Sequence, residues 1–459
     1  MLARVLRLLA ASLLGTSCGV LAADAPPRPN LVFLLVDDLR WNALGFMGDR
    51  IVQTPNLDRL AAHGTVFDNC FVTTSICSVS RASILTGQWM RRHGIVDFAA
   101  GLNGAAWENT YPAQLRRAGY RTGFIGKYGV GNDRETAAKA AEFDSWRGLS
   151  GQAGAFIEAN DPTRTHKTAR FGNEALEFLA GCEAGKPFCL SLSFNAVHAR
   201  DGKPREFEPD PRDEARYADV TIPLPALATD EAFRRLPESV QKSEGRRRWN
   251  MRFDTPKKAQ GILRDYYRLI TGVDREVGRI VAELEKRGFA GNTVIIFTSD
   301  NGFALGDRGM GDKWFMYEED IRVPGFIYDP RQPRGQRVGA LALNVDFAPT
   351  MLEFAGVPLP PTMQGRSLVP LLRGPVPADW RTAFFYEHHS VASRIPKSEG
   401  IRTERWKYLR WIAEQPVKEE LYDLSADPLE ERSLAADPAH AAILSELRGQ
   451  WQRASEELK

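Results

Sequence analysis

An α/β sandwich is the fold class that this 459-residue sequence predicts, and three patterns carry the prediction. Apolar runs at 30–36, 188–194 and 294–297 are bounded by turn residues, as expected of parallel strands buried on both faces. Helical stretches fall between them at 54–63, 110–118 and 168–179, and Tyr266, Ile270, Val273, Val277, Ile280 and Leu284 trace one apolar face at helical spacing. The strand-like segments also end in polar residues: Asp37 and Asp38 after the first, Lys127 after Phe124 and Ile125, His198 shortly after Phe194, and Asp300 and Asn301 after Phe297. Ligand sites of open α/β sheets lie at the carboxyl ends of strands, so these residues are the first candidates for chemistry.

In chain order, Arg4 and Arg7 precede an apolar run at 8–14, and small residues around 20–23 offer a cleavage site. Residues 1–23 read as a secretory signal peptide, which predicts a secreted or periplasmic protein. Cys18 is a poor lipid anchor because Gly15 stands where a lipobox needs a large aliphatic residue. No later apolar run is long enough to cross a bilayer. The main domain spans 27–375, interrupted at 220–258 by a surface excursion rich in proline and charge that contains the basic cluster 246–248. A smaller C-terminal subdomain, 376–459, has strand-like segments at 382–386 and 406–411, then a final helix with the stripe Ile443, Leu444, Leu447 and Trp451.

Lys and Arg number 60 against 58 Asp and Glu, a net charge of +2 that excludes a polybasic nucleic-acid binder. Beyond Cys18 the cysteines are Cys70, Cys77, Cys182 and Cys189, too few for a disulfide framework, so the core supplies the stability. Cys182 and Cys189 are close enough in sequence to bridge, and fit equally well as small unpaired hydrophobes.

Asp37, Asp38, Asp300 and Asn301 are oxygen donors of the kind a hard divalent cation takes. Each pair alone also fits a turn, since aspartates cap turns and Asn301-Gly302 is a turn dipeptide. The third element is Cys77-Ser78-Val79-Ser80-Arg81, continuing from Ala82 to Gly87. It places a nucleophile at the start of a short helix whose free N–H groups favour an anion, with Arg81 one turn on. This string strongly resembles the signature of the type I sulfatase family, Cys/Ser-x-Pro-Ser-Arg followed by Ala-x-x-Leu-Thr-Gly. The flanks resemble it too: TPNLDRL at 54–60, GK at 126–127, TSDNG at 298–302, KW at 313–314 and IRVP at 321–324, in order over residues 29–435.

The resemblance implies an alkaline-phosphatase-like sandwich, with a large mixed, mostly parallel sheet flanked by helices, plus a C-terminal subdomain with a short antiparallel sheet and a terminal helix. It implies a sulfuric ester hydrolase acting on a sulfated saccharide or polysaccharide. Cys77 is then converted to formylglycine, by a formylglycine-generating enzyme or an anaerobic maturase, and its hydrate attacks the ester sulfur. Asp37, Asp38, Asp300 and Asn301, with the group derived from Cys77, would hold Ca²⁺ in preference to Mg²⁺. Arg81, Lys127 and Lys313 would offset charge on the sulfuryl group, and His198 with Lys313 would protonate the leaving sugar oxygen. His93, His388 and His389 are further candidates for the substrate cleft, and each also fits a structural role. Two residues depart from the family pattern: Val79 replaces a proline, and Gly129 stands where many sulfatases have a histidine. The Gly126-Lys127-Tyr128 string resembles the glucosamine-6-sulfatase branch, which also lacks that histidine.

Three other functions remain open on the residues alone. A phosphatase or phosphonate monoester hydrolase would use the same fold, but its two-zinc version needs several histidine ligands, and none of the seven here adjoins Asp37 or Asp300. A thiolate phosphatase using unmodified Cys77 leaves the aspartate pairs without a purpose. A non-catalytic sulfated-glycan-binding protein would keep the thiol and use the basic cluster and the ten tryptophans to hold a sugar.

Overall fold

The computed structural model describes residues 28–332, 334–389, 391–392 and 394–459, so the signal-peptide segment and Cys18 lie outside the described residues. The first strands in chain order are β1 (Asn30–Val36), β2 (Thr65–Phe71), β3 (Arg121–Lys127), β4 (Ser145–Leu149), β5 (Phe188–Ser193) and β6 (Thr293–Ser299). A two-strand hairpin follows, β7 (Ala304–Leu305) and β8 (Gly311–Asp312), and then β9 (Gly325–Tyr328) and β10 (Gln336–Leu343). Eight of these form one sheet in the order β10-β2-β9-β6-β1-β5-β3-β4. It is mixed and mostly parallel, with β9 alone running against its neighbours β2 and β6.

Every residue of β1 is buried, as the unbroken apolar run 31–36 requires, and its apolar side chains alternate between two cores. Val32, Leu34 and Val36 join the core under the helices Pro55–His63, Lys167–Ala180 and Pro256–Lys286. Leu31, Phe33 and Leu35 join the opposite core, under Cys77–Thr86, Tyr111–Arg117 and Phe347–Phe354. The long helix begins where Thr255 Oγ1 accepts the Lys258 N–H at 3.3 Å, and its predicted stripe is buried from Tyr266 to Leu284. Because β1, β3, β5 and β6 are parallel, their carboxyl ends meet on one edge.

The C-terminal unit is an antiparallel sheet of β11 (Ala383–His388), β12 (Ser398–Thr403), β13 (Trp406–Trp411) and β14 (Lys418–Asp423), with the helix Ala441–Glu457 against it. Strand alternation gives β11 two jobs. Phe384 packs on Phe71 with the rings tilted and the Tyr386 hydroxyl donates to the Trp314 carbonyl at 2.9 Å, while Phe385 and Glu387 both receive Arg91. The 220–258 stretch, expected as a surface excursion, contains the short helices Asp230–Arg235, Glu238–Gln241 and Glu244–Arg252, and it is not wholly at the surface: Arg252 is buried among carboxylates that recover its desolvation cost. Cys70, Cys77, Cys182 and Cys189 are all free thiols, so no bridge joins Cys182 to Cys189.

Candidate active site

Cys77 opens the helix Cys77–Thr86, which stops at Gly87 in the left-handed conformation (φ 65°). Its side chain is buried, and burial pushes the thiol up to about 12 despite Lys127 and Lys313 nearby. An unmodified Cys77 is therefore a poor nucleophile, which weighs against the thiolate reading.

Around it the strand ends and the helix that Cys77 opens bring together three carboxylates and three cations. Lys127 Nζ donates to Asp37 Oδ2 at 2.5 Å, and Arg81 Nη2 lies 3.5 Å from the same oxygen. Arg81 Nε donates to Asp300 Oδ2 at 2.8 Å, and its Nη1 donates to the Lys127 carbonyl at 2.6 Å and to Ser193 Oγ. Lys313 Nζ spans both oxygens of Asp38 at 2.5 and 2.6 Å, and Asn301 Nδ2 donates to Asp38 Oδ1 at 2.6 Å. Asp300 Oδ1 accepts the Asp38 N–H at 3.1 Å, which ties the two loops together. Burial raises Asp38 to about 6 against the pull of Lys313. Burial opposes the charges on Lys127 and Lys313, but Asp37 holds the first above its ordinary value and Asp38 the second.

His198 also belongs to this cluster. Its Nδ1 faces the Ala199 carbonyl at 2.6 Å, so that nitrogen carries the proton, and Nε2 lies 3.5 Å from Asp38 Oδ2. Burial, reinforced by Lys313 and Lys127, lowers its pKa to about 3, so the ring is neutral at ordinary pH.

The donor set fits a divalent cation. Ligand atoms of Asp37, Asp38, Cys77 and His198 lie within 4.8 Å of one another. Asp37 Oδ1 and Asn301 Oδ1 are buried with no hydrogen-bond partner, two oxygens that a cation would satisfy.

The three further histidines do not join the cluster. His93 Nε2 meets Ser83 Oγ at 3.0 Å and its Nδ1 accepts the Ile95 N–H at 3.0 Å. Ser83 stands about 200° round the helix from Arg81, so His93 lies behind the helix, ordering the turn. His389 pairs with Glu399 at 2.9 Å on the face of β11 that receives Arg91. His388 is fully buried on the other face, and neither of its ring nitrogens has a partner.

Two neighbours escaped the sequence reading. Gln152 Oε1 accepts from Lys127 Nζ, and Ser193 Oγ accepts from Arg81. Ser193 ends β5, so the rule that located Asp37 reaches it; Gln152 lies in a loop with no motif around it. Gly129 has a physical reason for its identity. It sits at φ +68°, and a Cβ there would come within 2.9 Å of Arg81 Cδ, so the Arg81 side chain occupies the space that the first carbon of a histidine would need.

Two family profiles match the chain: Sulfatase over residues 29–357, and N-sulphoglucosamine sulphohydrolase, C-terminal, over 306–457. An N-acetylglucosamine-6-O-sulfatase of Bacteroides thetaiotaomicron is 31% identical over 94% of this chain and 87% of its own. An arylsulfatase of Clostridium perfringens is 29% identical over 92% and 93% of the two chains. A solved structure in complex with its substrate D-glucosamine-2-N,6-O-disulfate superposes with a TM-score of 0.79 at 30% identity, covering 94% of this chain and 98% of that one. A phosphonate monoester hydrolase of Agrobacterium radiobacter, 23% identical with a TM-score of 0.76 over 94% and 96% of the chains, shares the fold. The profile that covers most of the main sheet and the near full-length relatives together establish that this chain is a sulfuric ester hydrolase belonging to the sulfatase family of the alkaline phosphatase superfamily.

Proposed function

We propose that this enzyme removes the 6-O-sulfate of a glucosamine-type unit in a sulfated saccharide, using a formylglycine made from Cys77 beside a bound Ca²⁺. The observation that carries the reading is the buried cage itself, in which Asp37, Asp38, Asp300 and Asn301 face Arg81, Lys127 and Lys313 around residue 77. The choice of sugar is supported by the 31% identical N-acetylglucosamine-6-O-sulfatase and by the disulfated glucosamine bound to the relative of known structure.

Formylglycine at position 77 supplies a hydrated aldehyde, a nucleophile toward sulfur that a buried thiol is not. Asp37, Asp38, Asp300 and Asn301 would hold Ca²⁺, which supplies Lewis acidity toward the sulfate oxygens. The chain's own residues do the rest. Arg81 and Lys127 are locked by Asp300 and Asp37 and converge on Asp37 Oδ2, so they would stabilise negative charge on the sulfuryl group without reorganising. Lys313 holds a proton over the working pH range, and the neutral His198 beside it offers Nε2 to receive one. The pair therefore assists the leaving sugar oxygen, with Lys313 as the donor.

Among the described residues no helix is long and apolar enough to cross a membrane. With a leader at 1–23, a catalytic domain at 27–375 and a C-terminal subdomain at 376–459, the enzyme works after export, secreted or in the periplasm, once a maturase has acted on Cys77. The test is sulfate release from glucosamine 6-sulfate by the matured enzyme, set against phosphate release from 4-nitrophenyl phosphate. Sulfate release that disappears in Cys77→Ala is the expected result, and preferential phosphate release would overturn the proposal.

A further inference from the structure

The hairpin β7–β8 carries Lys313 on strained backbone. Asp312 has φ 93° and Trp314 has φ 99°, so two non-glycine residues in the left-handed region flank the lysine. Such backbone persists only where its surroundings enforce it. The enforcement comes from the helix Glu244–Arg252, whose Arg248 and Arg252 are four residues apart and so share one face.

Arg248 Nη1 donates to Asp312 Oδ2 at 2.7 Å and Arg252 Nη1 donates to the same oxygen at 2.9 Å. The two arginines also grip the loop that follows His198. Arg252 Nη2 donates to Asp201 Oδ1 at 2.7 Å and its Nε to Glu206 Oε2 at 2.6 Å, and Arg248 Nη1 reaches Asp201 as well. Arg252, Asp312 and Glu206 are buried. Gly311 allows the approach, since a Cβ there would lie 3.2 Å from the Trp249 nitrogen and 3.3 Å from the Arg248 carbonyl carbon. Arg248 is also placed over the Trp314 ring, 5.4 Å from its centroid.

Resting on the reading of Lys313 and His198 as leaving-group residues, we propose that Arg248 and Arg252 are positioning residues that clasp the Lys313 hairpin to the His198 loop and so set the geometry of leaving-group protonation. The other oxygen of Asp312 lies 3.4 Å from Lys313 Nζ. With its arginines gone, Asp312 would draw that amine away from Asp38, and the hairpin would relax from its left-handed backbone. The effect falls on the leaving group, because Arg81 and Lys127 are anchored independently by Asp300 and Asp37.

The test uses the full-length matured enzyme and a series of aryl sulfates whose phenols run from strongly to weakly acidic, with Arg248→Gln and Arg252→Gln. In both variants kcat/KM should fall about tenfold or more for the poorest leaving group and change less than about twofold for 4-nitrophenyl sulfate, steepening the dependence on phenol pKa. Arg248→Lys should restore part of the loss. A purely structural role lowers the whole series in parallel with the folded fraction, and a parallel or absent loss would overturn the clasp. Arg248, at the rim of the network, serves if Arg252→Gln does not fold. If wild-type kcat/KM does not depend on phenol pKa anywhere in the series, it is the leaving-group reading that falls, not the clasp alone.

Discussion

Restoring the family's histidine at position 129 should destroy activity, because the obstacle is the first carbon of any side chain. Gly129 lies at φ +68°, and a Cβ there would sit 2.9 Å from Arg81 Cδ, 3.4 Å from Arg81 Nε and 3.4 Å from Lys127 Cε. Left-handed backbone costs a non-glycine residue about 1–2 kcal/mol. Displacing Arg81 breaks its buried contact with Asp300, and leaving such a pair unmatched costs about 3–5 kcal/mol. The sum, about 4–7 kcal/mol, is a large share of the roughly 5–15 kcal/mol that holds a typical domain together. Both terms arise at Cβ, so Gly129→Ala should be almost as damaging as Gly129→His. The assay is sulfate release from 4-nitrophenyl sulfate alongside thermal denaturation, with an expected fall in kcat of more than about 100-fold in both variants. A Gly129→His enzyme that melts normally and turns over at the wild-type rate or faster would refute the reasoning.

Two further outcomes follow, one from the cage and one from a buried histidine outside it. Ca²⁺ should raise the melting temperature of chelator-treated protein, by about 2.7 kcal/mol of stability at a hundredfold excess over Kd, and Asn301→Ala should largely remove that gain; a melting temperature indifferent to Ca²⁺ would exclude the cage as a Ca²⁺ site. His388 should make the protein acid-sensitive: burial lowers its pKa from 6.5 to about 3, so the unfolded chain takes up a proton below 6.5 that the folded chain refuses, and stability declines as pH falls from 6.5 toward 3. His388→Leu removes two buried nitrogens that lack partners, so it should leave stability at pH 7.5 intact and flatten the decline toward pH 5, as read by thermal denaturation; an unchanged slope would refute this.

Much of the site was legible because its residues sit where one-dimensional signals are strongest. Asp37, Lys127 and Asp300 each end or follow a buried parallel strand, and Cys77 and Arg81 lie one turn apart on a single helix. Such neighbours in sequence become neighbours in space through local geometry alone. What depends on packing was not legible. The antiparallel β9 is four residues long and pairs with β2 and β6 across more than two hundred and about thirty residues of sequence respectively, with no alternation to announce it. β4, with the sequence SWRGL, is only half-buried and reads as a loop. The basic cluster 246–248 falls in the stretch expected at the surface, yet helical spacing joins Arg248 to Arg252 beyond it, and the pair turns inward onto Asp201 and Asp312. His93 and His389 draw attention by their chemistry, but Ser83 and Ile95 occupy both ring nitrogens of His93, and Glu399 holds His389 Nε2.

The central claim, that Cys77 becomes the nucleophile by modification, is tested most directly by the mass of the tryptic peptide covering residues 60–81, taken from protein made in its native host with sulfated saccharide as inducer. Val79 is buried in the helix behind the nucleophile, in place of the family's proline. The account predicts the mass decrease of thiol-to-aldehyde conversion, located at Cys77 and not at Cys70 in the same peptide. A peptide that carries both thiols intact, from protein that nonetheless releases sulfate, would contradict it.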